Sequence, residues 1–278
     1  MIPVDASDLP AAIAALDRVA EGPVFLQSNL ARYGLAPGAP RSVHLWANAE
    51  RTAFVGLTVA GILMPQMREA GSGDWAALPQ VLAGHEVLGI NGASAQVAAC
   101  LSRLDLPPPR LDRTEPCFAL PLSDLRMPAQ EGLELRPVAA AEMELLTGWR
   151  AAYRVETVAE TPAEARTAAR AELPLWLAED GLRLLWRGGR PVALSGLNAR
   201  AGGCVQVGGV YTPPDLRGQG LARAAVALHL AELRAQGAGR AFLFAASPVA
   251  ERAYRAIGFQ PAGHMRMVVL PSPIGIAP

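Results

Sequence analysis

Val210-Tyr-Thr-Pro-Pro-Asp-Leu-Arg-Gly-Gln-Gly-Leu-Ala222 decides how the rest of the chain is read. Upstream, Cys204 to Tyr211 mixes β-branched residues with glycines, the composition of an interior strand. Downstream, Leu221 to Ala235 is rich in Ala and Leu with apolar residues at helical spacing. Between them, Gly218 and Gly220 let the backbone approach something bulky. A strand passing through such a turn into a helix gathers free N–H groups and the positive end of a helix dipole at one point, which favours an anion such as a phosphate. An ordinary strand–helix connection with a tight turn has the same Gly-x-Gly, so the glycines by themselves leave both readings open.

The longer string separates them. Arg217-Gly218-Gln219-Gly220-Leu221-Ala222 fits the Arg/Gln-x-x-Gly-x-Gly/Ala pattern and resembles the GNAT superfamily of acyl-CoA-dependent acyltransferases. The rest of that pattern follows in order: a strand from Arg240 to Ala245, a helix from Ser247 to Ile257, and Tyr254-Arg-Ala-Ile-Gly-Phe259, similar to the family's Tyr-x-x-x-Gly-Phe ending. A dinucleotide-binding Rossmann unit fails on two counts. Arg223 stands where a third small residue belongs, and the hairpins before the loop do not suit a parallel βαβ unit.

At 278 residues the chain suffices for one large domain or two smaller ones. Its 25 basic and 25 acidic residues balance, which leaves no electrostatic footprint for nucleic acid. Cys100, Cys117 and Cys204 are odd in number and far apart, so neither a disulfide framework nor a metal knot is expected. The histidines stand alone, and no metal site is expected. The start of the chain has no basic region ahead of an apolar run, and the longest apolar run, Ala53 to Met64, is broken by glycines and a threonine. The expectation is a cytoplasmic protein with no membrane partner.

Taken in order, helices are expected from Asp8 through Ala20 and from Val24 to Tyr33, then strands at Val43 to Trp46, Thr52 to Val59 and Ile62 to Gln66. A helix from Trp75 to Leu82, a short strand from Val87 to Ile90 and a helix from Ala93 to Leu104 follow, with a strand at Cys117 to Pro121. That order echoes a GNAT fold but lacks the glycine loop, so 1–122 reads as a degenerate GNAT-like domain or an unrelated α+β cap. The polar stretch 123–132 is the expected linker, and 133–278 the catalytic domain. Within it, Leu133 to Val138 is a strand and Ala140 to Tyr153 a helix. Thr161-Pro-Ala-Glu164 starts another helix as a capping box, with Pro174 expected to kink or end it. Leu182 to Trp186 and Pro191 to Leu197 form a hairpin, and His264 to Leu270 closes the sheet. The fold class is therefore α/β (α+β): the GNAT fold, a mixed sheet flanked by helices, with two such domains in tandem.

The resemblance implies a site. Amides of Gly218, Gln219, Gly220, Leu221 and Ala222 would hold the CoA pyrophosphate, with Arg217 opening the loop. Val210, Tyr211 and Thr212 would pair with the pantetheine arm, and the Val210 N–H would polarise the thioester carbonyl. Tyr254 matches the tyrosine that protonates the departing thiolate; the competing reading is a core tyrosine beside the cofactor. Ser247 stands where the family often has an asparagine contacting the cofactor. Gln206 lies where some members carry a strand glutamate, and an amide cannot take a proton. Glu156 is the substitute base, against a solvated helix-end charge or a water relay. Tyr153 and Gln206 are expected to shape the acceptor pocket, and His229 to be structural. The implied reaction is direct transfer of an acetyl group from acetyl-CoA, a co-substrate, to a primary amine of a small molecule or amino acid. The competing class is a non-catalytic acyl-CoA-binding or sensor protein, and a homodimer is left open.

Overall fold

The computed structural model describes residues 1–19, 24–158, 160–245 and 247–277; Ala20, the expected end of the first helix, lies outside them. The chain forms two compact units. One comprises Met1–Cys117, Ala199–Gly202 and Ala262–Pro278, the other Phe118–Asn198 and Gly203–Pro261. Against the expected stretches 1–122 and 133–278, the second unit starts at Phe118 and takes in 123–132, while Ala199–Gly202 and the end of the chain go to the first.

The first unit opens with β1 (Ile2–Pro3), α1 (Leu9–Val19) and α2 (Phe25–Tyr33), then an antiparallel meander of β2 (Val43–Ala47), β3 (Phe54–Thr58) and β4 (Ile62–Gln66). The expected single helix at Trp75–Leu82 is two short ones, α3 (Ser72–Ala76) and α4 (Leu78–Leu82). Pro79 sits in the first turn of the second, where its missing N–H costs nothing. β5 (Glu86–Ala93) pairs parallel with β4 and continues through Asn91-Gly92, past Ile90 where the strand had been expected to end. A Cβ at Gly92 would lie 3.3 Å from the Pro65 ring, so glycine there serves close strand packing rather than a turn. α5 (Ser94–Leu101) leads to β6 (Leu111–Pro121). His44 and His85, expected to be solitary, meet with ring centroids 4.5 Å apart.

The second unit contains β7 (Leu133–Pro137), α6 (Met143–Val158), α7 (Pro162–Ala178), β8 (Leu182–Arg187), β9 (Arg190–Ala201) as far as Asn198, β10 (Cys204–Tyr211), α8 (Leu221–Ala235), β11 (Arg240–Phe244) and α9 (Pro248–Ala256). Its strand order is β6-β11-β10-β9-β8-β7, with β10 parallel to β11. The Thr161–Glu164 capping box forms as expected. α7 does not end at Pro174 but continues to Ala178. The carbonyl that proline leaves unbonded belongs to exposed Arg170, where water can satisfy it, while Leu173 and Trp176 anchor the helix in the core. One apolar cluster joins α8 and α9 to β10, β11 and residues 118–125; another joins α6 and α7 to β8 and β9.

The expected closing strand at His264–Leu270 is a correction. It belongs to β12 (Gln260–Gly275), which pairs antiparallel with β5 from Met265↔Ala93 to Gly275↔Glu86 in the first unit. Beside β11 lie instead residues 118–121 at the end of β6. Alternating apolar residues specify which face of a strand is buried, not which neighbour it finds.

Candidate functional site

The site begins where β10 leaves the sheet. The printed register of β10 with β11 runs from Cys204↔Arg240 to Gln206↔Phe242. Beyond it, Gly208 and Gly209 follow, and Gly209 sits in the left-handed region at φ +62° within the strand. A left-handed residue breaks the regular pleat, as bulges do. The following residues, Val210 to Thr212, line a groove of about 650 Å³ whose other wall is the end of β11 and the start of α9.

At one end of this groove lies the glycine loop. Gly218 (φ +78°) and Gly220 (φ +73°) are both left-handed, the conformation their lack of Cβ makes accessible. Gly220 is the N-cap of α8 and offers no side-chain acceptor, so the first-turn N–H groups of a 15-residue helix have no cap. Gly218, Gly220, Leu221 and Ala222 all line the groove. A Cβ on Gly218 would meet nothing within 4 Å, which leaves the backbone open to a bulky group. Uncapped N–H donors at a positive helix end, with open space before them, fit a diphosphate.

At the other end stand two tyrosines, Tyr153 from α6 and Tyr254 from α9. Tyr254 is 7% exposed, and its ring packs edge-on against Phe259 at 6.1 Å. Burial pushes its phenol well above the usual range, and Tyr153 adds to the shift. Ser247 also lines the groove, but its oxygen accepts from Ala250 N–H at 3.2 Å and caps α9. Its hydroxyl proton remains to donate.

Other expected residues are turned to different work. Arg217 does not extend over the loop. Its terminal nitrogen donates to both carboxylate oxygens of Glu156 at 2.9 Å, its Nε donates to the Thr212 carbonyl at 2.9 Å, and its guanidinium lies 5.7 Å from the Tyr211 ring. This pairing holds the Arg217 proton more tightly than usual. Glu156 is thus on the groove lining as expected, and it is engaged by a cation from the loop. Gln219 accepts from Arg187 at 2.8 Å through its side chain, leaving its backbone amide to the loop. Gln206 does not line the acceptor side of the groove. Strand alternation turns it to the face opposite core residues Val205 and Val207, where it is fully buried. Its Nε2 donates to the Val207 carbonyl at 3.3 Å, and its Oε1 has no partner among the described residues. His229 is buried with Nδ1 3.1 Å from Ser195 Oγ, a structural placement.

The sequence reading passed over the Gly208–Gly209 pair and Trp176. Two adjacent glycines inside a strand are a signal of a bulge or close approach; Trp176 in a helix carried none. Among the described residues no cluster of His, Cys, Asp or Glu could hold a metal, and no helix is long and apolar enough to cross a membrane.

Comparison with known proteins follows the same lines. The model of the Acetyltransferase (GNAT) family matches residues 145–259. A search of curated proteins finds no match. Among solved structures, a GCN5-related N-acetyltransferase from Kribbella flavida is similar at 20% identity, with 94% of this chain and 96% of that one covered and a TM-score of 0.57. A GNAT-family acetyltransferase from Colwellia psychrerythraea is similar at 14% identity, covering 96% and 97%, with a TM-score of 0.56. A tandem GNAT protein from the clavulanic acid biosynthesis pathway is similar at 15% identity, covering 100% and 98%, with a TM-score of 0.55. At these identities the likeness is one of fold, and it extends through the first unit as well as the second.

Proposed function

We propose that this chain, whose residues 145–259 match the GNAT acetyltransferase family model, is an acyltransferase that moves an acetyl group from acetyl-CoA to a primary amine of a small molecule or amino acid. The observation that carries this reading is the continuous groove from the uncapped start of α8, along β10, to Tyr254. In this reading the amides from Gly218 to Ala222 bind the diphosphate, and the backbone of Val210 to Thr212 pairs with the pantetheine arm. The Val210 N–H faces the thioester carbonyl, and Ser247 donates to the cofactor.

The amine nitrogen attacks the thioester carbonyl; a C–N bond forms, the C–S bond breaks, and the nitrogen gives up a proton. Glu156, the carboxylate among the described groove-lining residues, receives that proton, and Arg217 fixes its position. Tyr254 donates to the departing sulfur. Its raised pKa keeps the O–H intact at neutral pH, so the proton is present to be given. Tyr153, facing Tyr254, orients the amine.

A second reading, an acyl-CoA sensor without turnover, is favoured by Gln206, a buried amide where some family members carry a glutamate. Calorimetric titration with acetyl-CoA, on wild type and on Gly220→Trp, tests the groove. Binding that the variant loses supports it, and CoA release on adding small amines then separates enzyme from sensor. No binding of acetyl-CoA to folded wild type refutes both readings.

A further inference from the structure

A tryptophan covers the bulge of β10. Trp176, in the last turns of α7 and only 8% exposed, lies against two glycines on neighbouring strands. A Cβ at Gly209 would stand 2.6 Å from Cη2 and Cζ3 of its indole, and a Cβ at Gly196 would stand 3.1 Å from Cζ3. At Gly209 the indole leaves no room for a side chain, and at Gly196 the Gly208 carbonyl at 2.8 Å and the indole together crowd the space a Cβ would take. Its ring is backed by Arg150, whose guanidinium carbon is 4.6 Å from the ring centroid. The same guanidinium lies 4.9 Å from Tyr153 and would come within 3.5 Å of a Gly209 Cβ. Arg150 is held in turn by Glu172, whose Oε2 accepts from its Nε at 2.8 Å, and Glu172 is tied to Arg154. Indole, guanidinium and phenol thus form a braced stack from the left-handed residue of β10 to the groove-lining Tyr153.

We propose that Trp176, seated on Gly196 and Gly209 and braced by Arg150, sets the length of the acyl group the groove accepts and restricts it to acetyl. This rests on the reading that the thioester lies along Val210. An acyl chain that continues past Gly209 meets this ring, which backs the glycine from behind the groove lining and is braced by Arg150 and Glu172. A methyl group ends before the obstruction; longer chains meet it. An extra methylene in a packed apolar pocket costs roughly 10–200-fold in selectivity.

The test is a binding and turnover series with CoA, acetyl-CoA, butyryl-CoA and hexanoyl-CoA on wild type, Trp176→Phe and Trp176→Leu. The wild type is expected to bind CoA and acetyl-CoA with similar affinity and hexanoyl-CoA at least about 10-fold more weakly. Both variants are expected to recover hexanoyl-CoA binding while CoA affinity stays unchanged, with Leu, the smaller side chain, recovering more. Trp176→Phe keeps an aromatic ring in the core and serves if the leucine variant does not fold. Equal wild-type affinity for acetyl- and hexanoyl-CoA overturns the proposal, as does an unchanged order in a folded variant that still binds CoA. Failure of bare CoA to bind the wild type is a different result: it removes the groove reading itself.

Discussion

Replacing Tyr254 with phenylalanine separates its two roles, because the structure lets the cost to the fold and the cost to the reaction be worked out independently. The ring is buried and packs against Phe259, a contact phenylalanine preserves. Only the hydroxyl is lost, and even one hydrogen bond would contribute only about 0.5–1.5 kcal/mol net, so the fold should lose no more than ~1.5 kcal/mol. A general acid is worth about 10²–10⁴-fold in rate. A CoA thiol with a pKa of ~8.5 already leaves readily, which puts the loss at the low end. We expect kcat to fall roughly 10–100-fold, equivalent to about 1.4–2.7 kcal/mol of transition-state stabilisation. Acetyl-CoA affinity should stay within about threefold, since the interaction with sulfur develops as the C–S bond breaks. The assay is CoA thiol release at saturating amine, with a urea melt confirming the fold. The pH profile adds a check of sign. Burial raises the phenol pKa, so Tyr254 keeps its proton below its ordinary value of ~10 and should add no alkaline limb to kcat between pH 7 and 9. An unchanged kcat in a folded Tyr254→Phe would make it a core residue beside the groove. An alkaline limb below pH 9 that disappears in the variant would refute the burial argument instead.

Two further perturbations address the groove edge and the core behind it. Glu156→Gln should lower kcat/KM by about 10²-fold or more if the carboxylate takes the amine proton; if it only steadies Arg217, Arg217→Ala should reproduce its effect, and the loss should fall on the KM for acetyl-CoA. Glu232 accepts from Arg183, which is buried and also bonded to Asp180. The Arg183 hydrogen bond holds the Glu232 carboxyl below its ordinary range, so the stability it contributes is complete above the unfolded pKa of ~4.3 and is lost as pH falls through the lower folded value. With Asp180 still in place and Glu232 partly exposed, Glu232→Gln should cost about 1–3 kcal/mol at pH 7 and much less at pH 3, read from urea midpoints; an equal cost at both pH values would contradict the assignment.

What could be read in the sequence and what could not divides along a physical line. Gly218 and Gly220 were legible because a left-handed backbone is a property of the residue itself, and both adopt it. The Thr161–Glu164 cap was legible for the same reason: its partners lie within one turn. Strand existence was legible, strand partnership was not; β12 alternates as any strand does, and only the assembled sheet sends it to β5. The Arg217–Glu156 pair joins residues far apart in the chain, and neither position signals the other. Gln206 shows the limit within a single strand, because its strand could be read from the sequence while the face it turns to could not. The same line runs through the site. The donor side is built from one continuous segment, Val210 to Ala222, so the reaction class could be read from consecutive residues. The proposed acyl and amine side draws on α6 and the β10 bulge, with α7 behind them, brought together only by packing. Selectivity therefore resides in contacts such as Trp176 on Gly209 and Gly196, where both partners are ordinary residues and only their meeting carries information.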